Sequence, residues 1–233
     1  MRIGGFNKFS LIDYPNKTCA IIFTQGCNFR CPFCHNPELV LPEQFTEPVQ
    51  IDWIIHFLKK RKGLLDAVEF TGGEPTVQKD LLDVIKKIKD LGYLIKLDTN
   101  GSHPEIIEKA INENLVDYFA MDIKAPLEDY SLVAGVKVDT EKIKESIKLI
   151  MHYSKDYEFR TTAIRRFHTK ESFKKMAILI KGAKRYYIQN AHYDKMVSKE
   201  FQNEKVFFKE EIQDFCEEVK PYVEHCIARI WTA

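Results

Sequence analysis

The chain has no apolar run approaching the roughly eighteen residues that a membrane-spanning helix needs, so none is expected. Its first residues, Met1-Arg2-Ile3-Gly4-Gly5, lack the apolar core of a secretory signal, and the expected compartment is the cytoplasm. Neither sign of charge is in excess. The 35 Lys and Arg against 34 Asp and Glu leave a formal net charge of +1, so no whole-molecule basic field points to nucleic acid. The basic groups from Lys59 to Lys62 and at Lys86, Lys87 and Lys89 have no interleaved aromatics and read as solvated helix faces. No linker rich in Gly, Pro or Ser, no internal repeat and no low-complexity tract divides the 233 residues, so one domain over 1–233 is expected. A disulfide framework is also missing. Of 6 cysteines, Cys27, Cys31 and Cys34 crowd into one loop, while Cys19, Cys216 and Cys226 are scattered in apolar segments and form no second cluster. Clustered thiols without a secretory signal favour metal over disulfides.

What is present is a regular alternation. Lys17–Thr24 reads as a buried strand that runs into a loop over 25–37. Pro37, Pro42 and Pro48 argue against a helix before about Pro48, and a helix is expected from there to Lys62. Further strands are expected at Ala67–Thr71, Tyr93–Leu97, Tyr118–Met121, Glu158–Ile164 and Arg185–Gln189, with a last strand-like segment at His225–Trp231. Amphipathic helices lie between them, with Asp139 and Thr169 as N-caps. The polar stretch from Asp194 to Lys205 reads as a loop. Strand and helix in strict alternation predict an α/β fold with a parallel sheet covered by helices. Polar and glycine-rich tetrads follow successive strands: Gly72-Gly73-Glu74-Pro75, Asp98-Thr99-Asn100-Gly101 and Asp122-Ile123-Lys124. In parallel α/β barrels the C-terminal ends of the strands are where sites are built.

Thiolates favour zinc, Cu(I) and iron–sulfur clusters. The spacing is CxxxCxxC over Cys27, Cys31 and Cys34, with no fourth cysteine nearby. A zinc site would need His35 or a distant residue as fourth ligand, and His35 adjoins Cys34 too closely to share a tetrahedral ion comfortably. A four-iron cluster with three cysteines keeps one iron open to a small ligand.

The run Gly26-Cys27-Asn28-Phe29-Arg30-Cys31-Pro32-Phe33-Cys34-His35-Asn36-Pro37, together with Gly5-Phe6-Asn7-Lys8-Phe9-Ser10-Leu11-Ile12-Asp13-Tyr14-Pro15, resembles the radical S-adenosylmethionine (SAM) superfamily. More narrowly it resembles activating enzymes of glycyl-radical proteins, in particular anaerobic ribonucleoside-triphosphate reductase activating proteins. The resemblance implies a partial barrel of six βα units, open at one side. It implies a [4Fe-4S] cluster on Cys27, Cys31 and Cys34, with SAM at the open iron. Gly72, Gly73, Glu74 and Pro75 would lie along the methionine part of SAM, and Asp98, Thr99 and Asn100 near its ribose or methionine. Lys124 of the Asp122-x-Lys124 pair would meet the SAM carboxylate, and Arg160, a cation inside an apolar strand, would meet an anionic ligand. Asp98, Thr99 and Asp122 would also hold a monovalent cation beside SAM. Phe33 reads equally as a face for the adenine and as packing. His168, beside Arg165 and Arg166, reads equally as a cofactor contact and as a solvated loop residue. Gln189 is a weaker candidate, and Asp13 could face the substrate.

The chemistry implied is one-electron cleavage of SAM to a 5′-deoxyadenosyl radical, which takes hydrogen from a glycine of a partner protein. The electron would come from a flavodoxin or ferredoxin. Two other readings stay open: a radical SAM enzyme acting on a small molecule, and a zinc-binding structural or interaction module. One departure is visible. Asn16 stands after Asp13-Tyr14-Pro15, where related sequences usually have glycine.

Overall fold

The computed structural model describes residues 1–191, 195–201 and 204–230. A single sheet of eight strands runs in sequential order. β1 (Ile3–Tyr14) turns into β2 (Lys17–Thr24), and these two are antiparallel. Asn16 takes φ +57° in that turn, so asparagine supplies the left-handed residue that glycine would. There follow α1 (Pro37–Val40), α2 (Ile51–Lys60), β3 (Ala67–Gly72), α3 (Leu81–Lys89), β4 (Leu94–Thr99), α4 (Pro104–Asn112) and β5 (Tyr118–Asp122). α5 (Tyr130–Ala134), α6 (Thr140–Tyr153), β6 (Tyr157–Ala163), α7 (Lys170–Leu179), β7 (Arg185–Asn190), α8 (Lys209–Val219) and β8 (His225–Arg229) complete the chain. Neighbouring strands from β2 to β8 are all parallel. β2 through α8 therefore form the six βα units expected of a partial barrel.

One strand was not foreseen, and one expectation needs correction. β1 was not foreseen as a strand. It is an edge strand with register irregularities after Ile3, Asn7 and Ser10, so its sequence shows no clean alternation. Prolines were read as excluding helix before Pro48, yet Pro37 opens α1 and Pro42 opens a 3-10 turn over Pro42–Gln44. Proline at the first helical position costs nothing, because that N–H has no intrahelical partner. The polar stretch from 194 to 205 carries buried Met196 and Phe201 in its described part, and Asp194 lies outside the described residues, as does Trp231 of the last strand-like segment.

Alternation along the strands separates two interiors. Ile22, Phe70, Leu97, Phe119 and Phe159 face outward and are fully buried under the helices, in one apolar cluster with Ile54, Ile85, Ile107 and Ile147. Tyr14, Cys19, Ile21, Ala67 and Tyr118 make a separate small cluster near the N-terminal ends of the strands. Above that plug the inner wall is polar, and the space there is the cavity described below. Among the described residues no helix is long and apolar enough to cross a membrane.

Helix starts follow the capping chemistry of the sequence. The Asp139 side chain accepts from Glu141 N–H, and Thr169 forms a reciprocal capping box with Ser172. Replacing Thr169 with Ala is expected to cost about 1 kcal/mol. In a chain of this size that lowers Tm by about 2–4 °C, checked by thermal denaturation followed by circular dichroism.

Candidate active site

The cysteine loop leaves β2 through Gly26, whose φ is +105°. It is tied to four neighbouring segments by backbone hydrogen bonds. Gly26 N–H donates to the Leu39 carbonyl at 2.8 Å, and Glu74 N–H to the Gly26 carbonyl at 2.8 Å. Arg30 N–H donates to the Ala134 carbonyl at 2.8 Å, and Val197 and Ser198 N–H to the Cys34 and Pro32 carbonyls at 3.0 and 2.9 Å. Gly73 packs so tightly under this loop that a Cβ there would collide with the Gly26 carbonyl oxygen. That close approach accounts for the double glycine better than turn geometry alone does.

All the residues expected at the cofactor, save His168, line one cavity of about 280 Å³ with Cys31 and Cys34. Cys27 is half-buried behind them, its Sγ accepting from Phe29 N–H at 3.3 Å. Phe33 lines the cavity on one side and packs against Phe167 on the other. Asp13 also lines the cavity and accepts a hydrogen bond from Ser10 Oγ, and Gln189 lines it while donating to Thr162 Oγ1 at 3.0 Å.

Several of these side chains are occupied by one another. Glu74 is 1% exposed, and its carboxylate accepts from Thr76 N–H, Thr76 Oγ1, Thr99 Oγ1 and Asn100 N–H. Burial raises its carboxyl in spite of those bonds. Glu74 thus stitches the Gly-Gly-Glu-Pro turn to the Asp-Thr-Asn-Gly turn, a framework task the sequence reading did not anticipate. Asn100 continues the stitch, its Nδ2 donating to Asn28 Oδ1 at 3.0 Å in the cysteine loop.

Six charged side chains form an alternating ladder across β3 to β6. Lys96 Nζ lies 2.6 Å from Glu69 Oε1 and 2.7 Å from Asp98 Oδ1. Arg160 Nη1 lies 2.8 Å from Asp98 Oδ2, and Arg160 Nε 3.1 Å from Asp122 Oδ1. Lys124 Nζ closes the ladder at 2.8 Å from Asp122 Oδ2. Burial works against the Asp98 anion, but Arg160 and then Lys96 outweigh it and hold the carboxyl well below its ordinary range. For Asp122, burial is overcome by Lys124 and Arg160. Lys124 is pulled down by burial but lifted above its usual range by Asp122 and the Cys31 thiol. Glu69 goes the other way: burial, then Asp98, raises it well above a normal carboxyl. Arg160 was expected to meet an anionic ligand, and its anions here are the chain's own. Asp98 and Asp122, expected beside a monovalent cation, are each held by two cationic side chains.

His168 departs from the expected site. It is 2% exposed, which overturns the solvated-loop reading, and it does not line the cavity. Ile164 N–H donates to its Nδ1 at 2.9 Å and its Nε2–H donates to the Lys124 carbonyl at 2.9 Å, so it braces the segment that carries Lys124. Glu69 and Lys96 were missed altogether. The signal was available: each is a charge in the middle of an otherwise apolar strand, where burial demands a partner.

The superfamily profile of radical SAM proteins matches residues 21–180. The chain belongs to the radical SAM superfamily. A protein of Methanocaldococcus jannaschii with the provisional name of glycyl-radical enzyme activating enzyme is 33% identical over 233 residues, covering 97% of this chain and 95% of that one. A Pyrococcus horikoshii protein provisionally named as a GTP 3′,8-cyclase is 30% identical over 131 residues, 56% of this chain and 42% of that one. The crystal structure of Streptococcus suis SuiB bound to S-adenosylmethionine superposes on 91% of this chain and 50% of that one, with a TM-score of 0.63 and 17% identity, a likeness of fold. This radical SAM protein is accordingly an enzyme that uses a [4Fe-4S] cluster and SAM.

The residues present fit that pair. Among the described residues no three His, Cys, Asp or Glu side chains converge on a point as ligands of one metal ion do. Three thiolates that each take a different iron of a cluster have no need to converge. Burial pushes the thiols up, to about 12 for Cys27 and about 11 for Cys31, so free of metal they keep their protons and iron binding must release them.

Two outcomes are expected. Lys96→Met leaves Glu69 and Asp98 buried beside an apolar side chain, and is expected to cost about 3–5 kcal/mol in urea denaturation. His168 is held down to about 4 by burial, from an ordinary 6.5. Its neutral form is the folded form, so its contribution is complete above pH 6.5 and is lost as pH falls towards 4. The loss amounts to about 3 kcal/mol. Urea melts at pH 7 and pH 4.5 should show it, and His168→Gln should flatten that part of the pH dependence.

Proposed function

We propose that the enzyme activates a glycyl-radical protein, with an anaerobic ribonucleoside-triphosphate reductase as the favoured partner and a flavodoxin or ferredoxin as electron donor. The observation that carries this reading is the end-to-end match to the provisionally named activating enzyme, at 97% and 95% coverage. The cyclase match reaches only 56% of this chain. That match, with the charged floor of the cavity, supports a second reading in which a radical SAM enzyme acts on a small polar molecule. When bound, the cluster and SAM would supply the one-electron chemistry needed to remove a hydrogen atom from the target glycine.

In this reading the chain's own residues bind and orient and need no general acid or base. Cys27, Cys31 and Cys34 hold the cluster. Lys124 uses one of its three ammonium donors on Asp122 and keeps the others for the SAM carboxylate. Gly72 and Gly73 let the backbone approach the methionine part closely, and Phe33 gives an aromatic face to the adenine. Glu74, Thr99 and Asn100 act by holding the two turns and the cysteine loop in register, and Asp98, Asp122 and Arg160 by fixing the field around Lys124. The cavity also reaches Ile12 and Asp13 of β1 and Arg229 of β8, at the two sheet edges, which supports approach by a peptide loop from the side.

The deciding experiment is anaerobic reconstitution followed by SAM, a reductant and the glycyl-radical protein of the same genome. Production of 5′-deoxyadenosine together with a glycyl radical in electron paramagnetic resonance is the expected result. Deoxyadenosine without any protein radical, and with hydrogen taken from a small molecule instead, would transfer the case to the second reading. Replacing Cys31 with Ser should reduce bound iron and abolish SAM cleavage at least a hundredfold, while Thr169→Ala, remote from the cavity, leaves cleavage intact.

A further inference from the structure

Cys216 and Cys226 belong to neither the cluster loop nor the cavity. Cys216 lies on the buried face of α8 with Ile212, Phe215 and Val219. Cys226 is the second residue of β8, opposite Tyr186 of β7. The sequence reading treated both as inert packing. The short turn after α8 brings them together, and their Sγ atoms lie 2.6 Å apart. A disulfide of ~2.05 Å is within reach of side-chain adjustment alone. Cys226 is half-buried and Cys216 buried, so one thiol of the pair can be approached from solvent. The contact with Cys216, then burial, raises the Cys226 thiol above its ordinary range.

The place of this pair in the fold gives it a consequence. Among the described residues β8 is one edge of the sheet and pairs only with β7. Its Arg229 lines the cavity and lies 3.8 Å from buried Glu158. Cys226 and Ala228 pack instead on the helix-side core. A bond from Cys226 to α8 would therefore tie the edge strand down from the side away from the cavity, without touching a residue of the SAM site.

We propose that Cys216 and Cys226 are a redox pair which, on exchange with a low-molecular-weight disulfide, closes a cross-link that pins β8 to α8. The thiolate of the more accessible Cys226 attacks the external disulfide, forming a mixed disulfide and releasing one small thiol. The thiolate of Cys216 then attacks the Cys226 sulfur and releases the second. Two protein S–H bonds and one external S–S bond become one protein S–S bond and two external S–H bonds. The protein loses two electrons and two protons, and the small disulfide gains them.

The test uses the full-length, cluster-loaded enzyme, prepared anaerobically and treated with oxidised glutathione. It is then quenched in acid, unfolded, alkylated and digested with trypsin. Lys220 precedes Pro221, so trypsin leaves Glu210–Arg229 as one peptide carrying Cys216 and Cys226 and no other cysteine. Cluster cysteines fall in other peptides and cannot confuse the result. Before treatment the peptide should take two alkyl groups. Afterwards it should take none, weigh two hydrogen atoms less than its reduced form, and recover with dithiothreitol. Cys226→Ser should leave no such species. A treated peptide that still carries two alkyl groups, or keeps glutathione on both cysteines, overturns the pairing. Hydrogen exchange tests the pinning: backbone amides of β8 should exchange several-fold more slowly in the cross-linked protein, and unchanged exchange there would overturn it. Neither readout depends on SAM or on any partner.

Discussion

A barrel that places Glu69, Lys96, Asp98, Arg160, Asp122 and Lys124 on its inner wall has to neutralise them internally, because three of them are buried from water and the other three are only partly exposed. The alternation of sign from β3 to β6 does this, each charge finding its opposite at 2.6 to 3.1 Å. Such a ladder is not a source of stability compared with an apolar core of the same volume. Its members depend on one another, since removing any one strands its neighbours. The rest of the architecture accommodates the ladder. The apolar plug of Tyr14, Cys19, Ile21, Ala67 and Tyr118 seals one end of the wall, and the large outward-facing side chains supply the hydrophobic burial that the inner face forgoes.

The same logic explains the loops above the ladder. Each of the three turns at the strand ends is short and polar, and none could hold a cofactor if it moved alone. Glu74 bonds to the turn after β4, Asn100 to the cysteine loop, and the cysteine loop to α5 and to Val197 and Ser198. Buried and fully hydrogen-bonded, Glu74 is a fixed strut. Residues that read as ligand-binding from their motifs are in this way divided between those that line the cavity with free capacity, Lys124 foremost, and those whose polar atoms are spent on holding the first group in place.

Much of this was legible in the sequence because two periodic signals coincided. Apolar strands alternating with amphipathic helices indicated the parallel barrel, and motifs at the strand ends indicated the face carrying the site. β1 was not legible, since a bulged antiparallel edge strand neither alternates cleanly nor buries both faces. His168 was misplaced because its neighbours Arg165 and Arg166 are polar, and nothing local shows that its two nitrogens bond backbone groups at Ile164 and Lys124. Glu69 and Lys96 were passed over as parts of apolar strands. The pairing of Cys216 with Cys226 depends on how α8 returns to the sheet, which no spacing rule announces.

The ladder also has a direction. Its three cations and three anions would cancel if all were ionised. Burial and then Asp98 raise Glu69 well above a normal carboxyl, while the Lys96 ammonium at 2.6 Å opposes that rise. Asp98 and Asp122 each sit between two cations, which favours their ionised forms. Lys124 ends the ladder beside Cys31, and against burial Asp122 and then Cys31 lift it above its usual range. Under the proposed function that is where the SAM carboxylate arrives. Among the described residues Lys124 pairs with one carboxylate where Lys96 and Arg160 each pair with two, so the mouth of the site is the end of the ladder most receptive to an anion.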